Sequence, residues 1–261
     1  MSDARPHHRA KKSLGQNFLT DQNICRKIVN ALDPLEDDHI IEIGPGRGAL
    51  TEHLVEVGAR RLSVIEMDDH LADNLARDWP ELDVIRADAL KFPWPSLNQS
   101  GPCKIIGNLP YNVGSKLIWD IVSQVNTLER AVFMVQHEVA LRLTAEPGCK
   151  AFGGLTAWVK NFCRTRYLFK VPPTVFRPQP KIDSAVVRFD PLPMEDWPDD
   201  KDKLSELIKI LFQQRRKQIS TILKNRMTPA VEQWFEAQGV DPRMRPENLS
   251  PEQFRSLSVL F

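Results

Sequence analysis

The chain of 261 residues is short of several features that would fix a function at once. It has four cysteines, Cys25, Cys103, Cys149 and Cys163, each standing alone without C-x-x-C spacing. That excludes a zinc ribbon or a disulfide frame and fits reduced thiols in a cytoplasmic protein. No apolar run approaches the roughly 18–20 residues that cross a bilayer, so no membrane partner is expected. The amino-terminal "MSDARPHHRAKK" is basic but has no apolar core, which argues against a secretory signal. "HEVAL" at 137–141 has Leu141 where the second histidine of a zinc-protease helix would stand, and no metal site is expected. There are no internal repeats and no second apolar face, so a monomer is expected.

Net charge is also scarce, at +1, which taken alone speaks against a nucleic-acid partner. Its distribution speaks for one. Residues 1–12 hold four Lys/Arg against one Asp, while 159–181 and 209–226 hold six basic residues each and no acid. Such segregation builds basic surfaces inside a nearly neutral protein.

What is present is ordinary globular composition, 42% hydrophobic and 26% charged. Short apolar runs at 39–44, 61–67, 82–90, 103–108 and 130–136 read as strands, and helical periodicity separates them over 49–59, 68–79 and 115–125. "HEVALRL" continues the fifth strand as a helix. Two late runs, within 158–171 and at 184–189, have no helix between them and read as an antiparallel pair on an otherwise parallel sheet. The alternation predicts a doubly wound α/β fold with its active edge at the carboxyl ends of the strands. "DPLPMEDWPDD" reads as a linker. Beyond it Leu204, Leu207, Ile208, Leu211, Phe212, Ile219, Ile222 and Leu223 predict one long amphipathic helix, with Arg215 snorkelling or pairing at its edge. The expected organisation is a basic flexible arm at 1–12, a catalytic domain at 13–190, a linker at 191–203 and a small all-α domain at 204–261.

"EIGPGRGALT" (42–51) puts Gly44, Gly46 and Gly48 at a strand-to-helix turn, where a ligand can approach the backbone and exposed N–H groups. The spacing is GxGxG rather than GxGxxG, and no lysine–serine pair follows, so a nucleotide phosphate loop is excluded. Glu66 ends the second strand 22 positions after Gly44, close to the roughly 20 expected of an acid that grips ribose hydroxyls. Asp88 ends the third predicted strand, where it can accept from the amine of an adenine. Three such groups at successive strand ends resemble the class I S-adenosylmethionine methyltransferases, with a Rossmann-like, about seven-stranded, mostly parallel sheet.

With that resemblance, "CKIIGNLPYNVG" (103–114) becomes readable. An adenine exocyclic amine is a poor nucleophile because its lone pair is delocalised into the ring. Acceptors that draw its hydrogens out of plane free the lone pair. The Asn108 side-chain oxygen and the Leu109 carbonyl, projected by Pro110, can supply two. Tyr111 can stack on an extruded base.

"KSLGQNFLTD" (12–21), "EPGCKAFG" (146–153) and "VPPTVFRPQPKIDSAV" (171–186), in order with the two motifs above, resemble the rRNA adenine dimethyltransferase family from about Lys12 onward. The resemblance implies that Gln16, Asn17 and Leu19 close over the methionine end of S-adenosylmethionine. Gly44 and Gly46 would approach it, Glu66 would hold the ribose, and Asp88 with Ala89 would flank the adenine. Asn108, Leu109 and Tyr111 would position the target base, with Phe176 on its opposite face. "RRKQISTILK" and "EPGCKAFGGLTA" are similar to the small-subunit branch, which dimethylates two adjacent adenosines in a terminal hairpin loop of that RNA. The expected partner is therefore small-subunit rRNA within an immature subunit. The chain departs from the family pattern at His137, where a basic residue is expected, and at "GGLTA", where "GRLSV" is commoner. Lys160, Arg164, Arg166, Lys170, Arg177, Arg216 and Lys217 are the candidate RNA contacts. Alternative readings are a methyltransferase acting on large-subunit rRNA or DNA, or a non-catalytic assembly or transcription factor on the same fold.

Overall fold

The five apolar runs become parallel strands, β2 (His39–Ile43), β3 (Arg61–Glu66), β4 (Asp83–Arg86), β5 (Cys103–Asn108) and β6 (Leu128–Gln136), in a computed structural model that describes residues 16–261. The arm expected over 1–12 lies outside the described residues. With β7 (Cys163–Val171) and β9 (Ser184–Pro191), the sheet has seven strands in the order β4-β3-β2-β5-β6-β9-β7. β9 runs antiparallel to β6, pairing Ser184 with Gln136, and β7 lies beyond it at the edge. β2 is parallel to both of its neighbours, so chain order reverses on its two sides, and a crevice opens at the carboxyl ends of β2 and β5.

β2 is buried along its whole length. Helix α1 (Gln22–Leu32) lays Cys25, Ile28, Val29 and Leu32 against a core that includes Ile40, Val64, Ile106 and Val132. The i, i+3, i+4, i+7 spacing puts all four on one stripe, each aliphatic one contributing roughly 1.5–3 kcal/mol by burial. Asp21 starts the helix by accepting from the N–H groups of Asn23 and Ile24. Helices α2 (Thr51–Val57), α3 (Asp69–Asp78) and α4 (Gly114–Gln124) follow β2, β3 and β5, and α5 (His137–Leu143) follows β6 directly. At the opposite end of β5 from the crevice, the Lys104 ammonium is buried and bonds the Asp38 carboxylate and the Asp33 carbonyl, each at 2.7 Å.

A two-stranded ladder stands apart from the sheet. β1 (Phe18–Leu19) pairs antiparallel with β8 (Phe176–Arg177), placing Leu19 opposite Phe176. The N–H and the hydroxyl of Thr20 both donate to the Val175 carbonyl at 2.9 Å.

The chain divides into two units. One runs to Ala140 and resumes over Arg166–Asp190; the other comprises Leu141–Thr165 and Pro191–Phe261. One division falls between Asp190 and Pro191, and 141–165, placed by sequence with 13–190, cluster with the carboxyl-terminal helices. The segment read as a linker belongs to the second unit: Trp197 is buried, donates to the Leu192 carbonyl, and stacks edge-on against Phe162 at 5.1 Å. Helices α6 (Gly154–Val159), α7 (Lys201–Gln213) and α10 (Pro251–Ser258) pack together around Phe152, Phe212 and Phe254.

Two expectations are corrected. The single long helix is broken: α7 stops at Gln213, and α8 is only Ile219–Ile222. Arg215 leaves the helix to donate to the Lys150 carbonyl and face the Glu247 carboxylate at 3.6 Å, while the Ile219 and Ser220 N–H groups donate to the Met244 and Pro242 carbonyls. The apolar stripe survives the break because both helices bury it. The third strand is shorter than its apolar run, because Ala87 bonds the Glu66 carbonyl and the Asp88 carboxylate then accepts from Leu90 N–H, turning the chain. Short helix α9 (Pro229–Ala237) completes this unit. No helix among the described residues is long and apolar enough to cross a membrane.

Candidate functional site

A cavity of about 310 Å³ occupies the crevice at the carboxyl ends of β2, β3 and β5. Its lining brings together Gln16, Asn17, Leu19, Gly44, Gly46, Glu66, Asp88, Ala89, Asn108, Leu109 and Tyr111, eleven of the candidate residues, all in the first unit. Phe176 is not among them. Its ring is fully buried in the α1 core, because β8 places it beside Leu19 on the core side of the two-stranded ladder. The structure thus does not bring Phe176 to the face opposite Tyr111.

The floor is the turn after β2. Gly46 has φ +61, a conformation that L side chains resist, and a Cβ there would sit 3.1 Å from the Phe18 ring. Phe18 therefore closes over the turn, with the Arg47 guanidinium 4.5 Å above its ring. Gly48 serves a different need, since a Cβ would meet the Trp79 ring at 2.5 Å. It is a packing glycine.

Glu66 is buried at the end of β3 and anchored at both oxygens, one accepting from Gly46 N–H at 3.1 Å and the other from Asp68 N–H at 2.9 Å. Burial raises its carboxyl above the usual range, although these N–H groups pull the other way. Glu42 also lines the cavity, 1% exposed on a strand otherwise apolar but for His39. The Thr51 hydroxyl donates to it at 2.6 Å, and burial, reinforced by the nearby Glu66 charge, pushes its carboxyl up to about 8. Sequence reading passed over Glu42, although an acid inside "HIIEIG" was the available signal. It also missed Phe18, Arg47 and Met67 in the lining.

At the end of β5 the geometry turns on one amide. Asn108 Nδ2 donates to the Asn17 carbonyl at 3.1 Å. Because a carbonyl can only accept, the amide is fixed with Oδ1 as its remaining end, and no described residue donates to that oxygen. The Leu109 N–H is spent on the Met134 carbonyl, and Pro110 supplies its own carbonyl to Val113 and Gly114. The Leu109 carbonyl has no such partner among the described residues. Tyr111 follows, its hydroxyl 2.8 Å from the Ser184 hydroxyl. Two acceptors and an aromatic ring thus stand together on the wall of one cavity. No cluster of three His, Cys, Asp or Glu that could hold a metal ion occurs among the described residues.

The candidate RNA contacts do not share one unit. Arg166, Lys170 and Arg177 lie in the first, the last donating to the Thr174 and Phe176 carbonyls; Lys160, Arg164, Arg216 and Lys217 lie in the second. Arg216 and Lys217 are exposed in the turn between α7 and α8. Lys160 is only 13% exposed at its side chain and bonds Glu146 at 2.6 Å, while Lys170 pairs with Asp183 at 2.7 Å.

Comparison with known proteins agrees in sequence and in fold. The family model described as ribosomal RNA adenine dimethylase matches residues 7–261. A protein of Maridesulfovibrio salexigens named ribosomal RNA small subunit methyltransferase A is 56% identical over 250 residues, covering 96% of this chain and 95% of the relative. A Lawsonia intracellularis protein of the same name is 45% identical, covering 97% and 94%. Among solved structures, a dimethyladenosine transferase from Plasmodium falciparum superposes with a TM-score of 0.76 at 26% identity, covering 92% of this chain and 95% of that one. The 23S rRNA methyltransferase ErmE does so with a TM-score of 0.71 at 26% identity, covering 94% and 99%.

Proposed function

The chain belongs to the ribosomal RNA adenine dimethylase family, and from that premise we propose that it dimethylates the exocyclic amines of two adjacent adenosines in a hairpin loop near the 3′ end of small-subunit rRNA. It is an S-adenosylmethionine-dependent rRNA adenine methyltransferase. The small-subunit substrate rests on relatives 45–56% identical over almost the whole chain that carry that name. The immature subunit, the cytoplasm and action as a monomer are parts of the same reading.

The residues fit the cofactor. The Gly44–Gly46 turn keeps the floor free of side chains, and a Cβ at Gly44 would meet nothing within 4 Å. Glu66, held at both oxygens by backbone N–H groups, keeps lone pairs for vicinal ribose hydroxyls, and Asp88 with Ala89 suits the adenine edge. Gln16, Asn17 and Leu19 would hold the methionine end. Bound there, S-adenosylmethionine supplies an electrophilic methyl group.

The chain's own residues prepare the nucleophile. Asn108 Oδ1 and the Leu109 carbonyl accept the two amine hydrogens, drawing them from the ring plane so that the lone pair is freed. Tyr111 stacks on the base and fixes its height against these acceptors. After the first transfer one hydrogen remains, and a single acceptor suffices to orient it. The methylated amine is strongly acidic while cationic and loses its proton towards these same oxygens and water.

The observation that carries this reading is the Asn108–Asn17 bond, which spends Nδ2 and so supports Oδ1 as the end of the amide turned to the base. The test is methyl transfer from labelled S-adenosylmethionine to small subunits lacking the modification, with nucleoside analysis and with large subunits and duplex DNA alongside. Dimethyladenosine on the small subunit alone, lost in Asn108→Ala, is expected. Product confined to large-subunit RNA or to DNA would overturn the substrate while leaving the pocket chemistry.

A further inference from the structure

The Tyr111 hydroxyl is a puzzle for a ring whose work is stacking. A phenylalanine stacks as well, and the chain uses twelve phenylalanines against two tyrosines. The structure gives the hydroxyl one partner. Ser184, the first residue of β9 and fully buried, places its Oγ 2.8 Å from the phenol oxygen. No other partner of either hydroxyl occurs among the described residues.

The placement is built from three strands. β5 ends on Asn108, and the following Leu109 N–H bonds Met134 of β6. β6 pairs with β9 so that Met134 faces Val186 and Gln136 faces Ser184. The acceptor oxygens and the serine are therefore fixed to one sheet, while the ring between them hangs on the turn at Pro110. A half-buried tyrosine otherwise keeps freedom about its side-chain torsions, which a stacked base would have to remove on binding. The tie at the far end of the ring removes that freedom beforehand.

We infer that Ser184 is a positioning residue for methyl transfer, holding the Tyr111 ring in the plane that receives the target adenine. The inference rests on Tyr111 being the stacking residue proposed above. Ser184 does not itself line the cavity and reaches it through the Tyr111 hydroxyl. Its contribution is that of one hydrogen bond to orientation, about three- to tenfold in kcat/KM.

The test is a double-mutant cycle of wild type, Ser184→Ala, Tyr111→Phe and the pair, run on whichever RNA the wild type methylates, so that an error in the substrate does not touch it. Each single variant is expected to lose about three- to tenfold in kcat/KM, with S-adenosylmethionine affinity unchanged and the double variant no worse than either. Additive losses, or a Tyr111→Phe enzyme equal to wild type, would overturn the inference. Tyr111→Phe removes only the hydroxyl and keeps the ring, so it guards against misfolding of Ser184→Ala. A second readout needs no RNA. The Ser184 bond holds the Tyr111 phenol down against the rise caused by burial. In a Tyr167→Phe background, the ultraviolet titration of the remaining tyrosine should move to higher pH in Ser184→Ala, and an unmoved titration would show that the two hydroxyls are not engaged in solution.

Discussion

The Asn108 side chain and the Asn17 backbone carbonyl, 91 positions apart in sequence, are joined by a hydrogen bond of 3.1 Å that orients the Asn108 amide on the wall of the cavity. This bond ties the strap, residues 16–20, to the amide proposed above to meet the target base.

Replacing Asn108 by alanine removes both an acceptor and the strap's anchor. Methyl transfer should fall by about 100- to 1,000-fold. Asn108→Asp should lose activity too and additionally weaken S-adenosylmethionine binding, because a carboxylate would oppose the Asn17 carbonyl. Calorimetric titration of the cofactor beside single-turnover rates separates the two effects, and an aspartate variant that binds cofactor better than the alanine one would contradict the assigned orientation.

Gly46→Ala places a Cβ in a left-handed backbone position and 3.1 Å from the Phe18 ring. Strain there should cost about 1–3 kcal/mol, borne by the turn and by Phe18. The expected outcome is cofactor affinity down tenfold or more with a folded protein by circular dichroism. Unchanged affinity would mean that the strap adapts freely.

Glu42 sets a pH dependence of stability. Its carboxyl is raised by burial to about 8, so between about 4.5 and 8 the folded state holds a proton that the unfolded chain has released. Stability from this group is complete below the unfolded pKa and declines as pH rises towards 8, by at most roughly 5 kcal/mol. Glu66 acts in the same direction and His39, whose pKa is lowered, in the opposite one, so the informative quantity is a difference. Relative to wild type, Glu42→Gln should gain stability as pH rises from 5 towards about 8 and level off above it. Parallel melting-temperature curves for the two proteins would show that Glu42 does not titrate there.

Lys104→Ala takes the ammonium away from the Asp38 carboxylate, only 10% exposed at its side chain, and leaves it the Leu35 N–H. Such a broken pair should destabilise by about 3–5 kcal/mol in urea unfolding. The variant should still bind S-adenosylmethionine at low temperature, since Lys104 and Asn108 occupy opposite ends of β5.

Much of this fold is legible in the sequence because strands buried on both faces are written as apolar runs. "HIIEIG" and "CKIIGN" are bounded by residues that cannot continue a strand, so even their ends are close. The legible part of the site is the part that chemistry dictates locally, namely Gly44, Gly46, Glu66 and Asn108. What escapes depends on partners far away in sequence. The α7–α8 break needs the Lys150 carbonyl and the 242–244 turn, and nothing between Leu211 and Ile219 announces them. Phe176 reads as a lid because it sits in a proline-rich segment, yet pairing with β1 turns it into the core. Glu42 is hidden by its own surroundings, since an acid in a hydrophobic run looks like an interruption until the cavity beside it is seen.

The β1–β8 ladder has a consequence for synthesis. Thr20 and Val175 meet across 155 positions, so the strap emerges early and finds its partner strand late. At about 5–20 residues per second, translation leaves the strap unpaired for roughly 10–30 s after Thr20 is made. Within that interval the strands that line the cavity are completed, while the strap still lacks its partner. A nascent chain can therefore make the floor of the cavity before the strap is pinned in place, and that pinning awaits the translation of Val175.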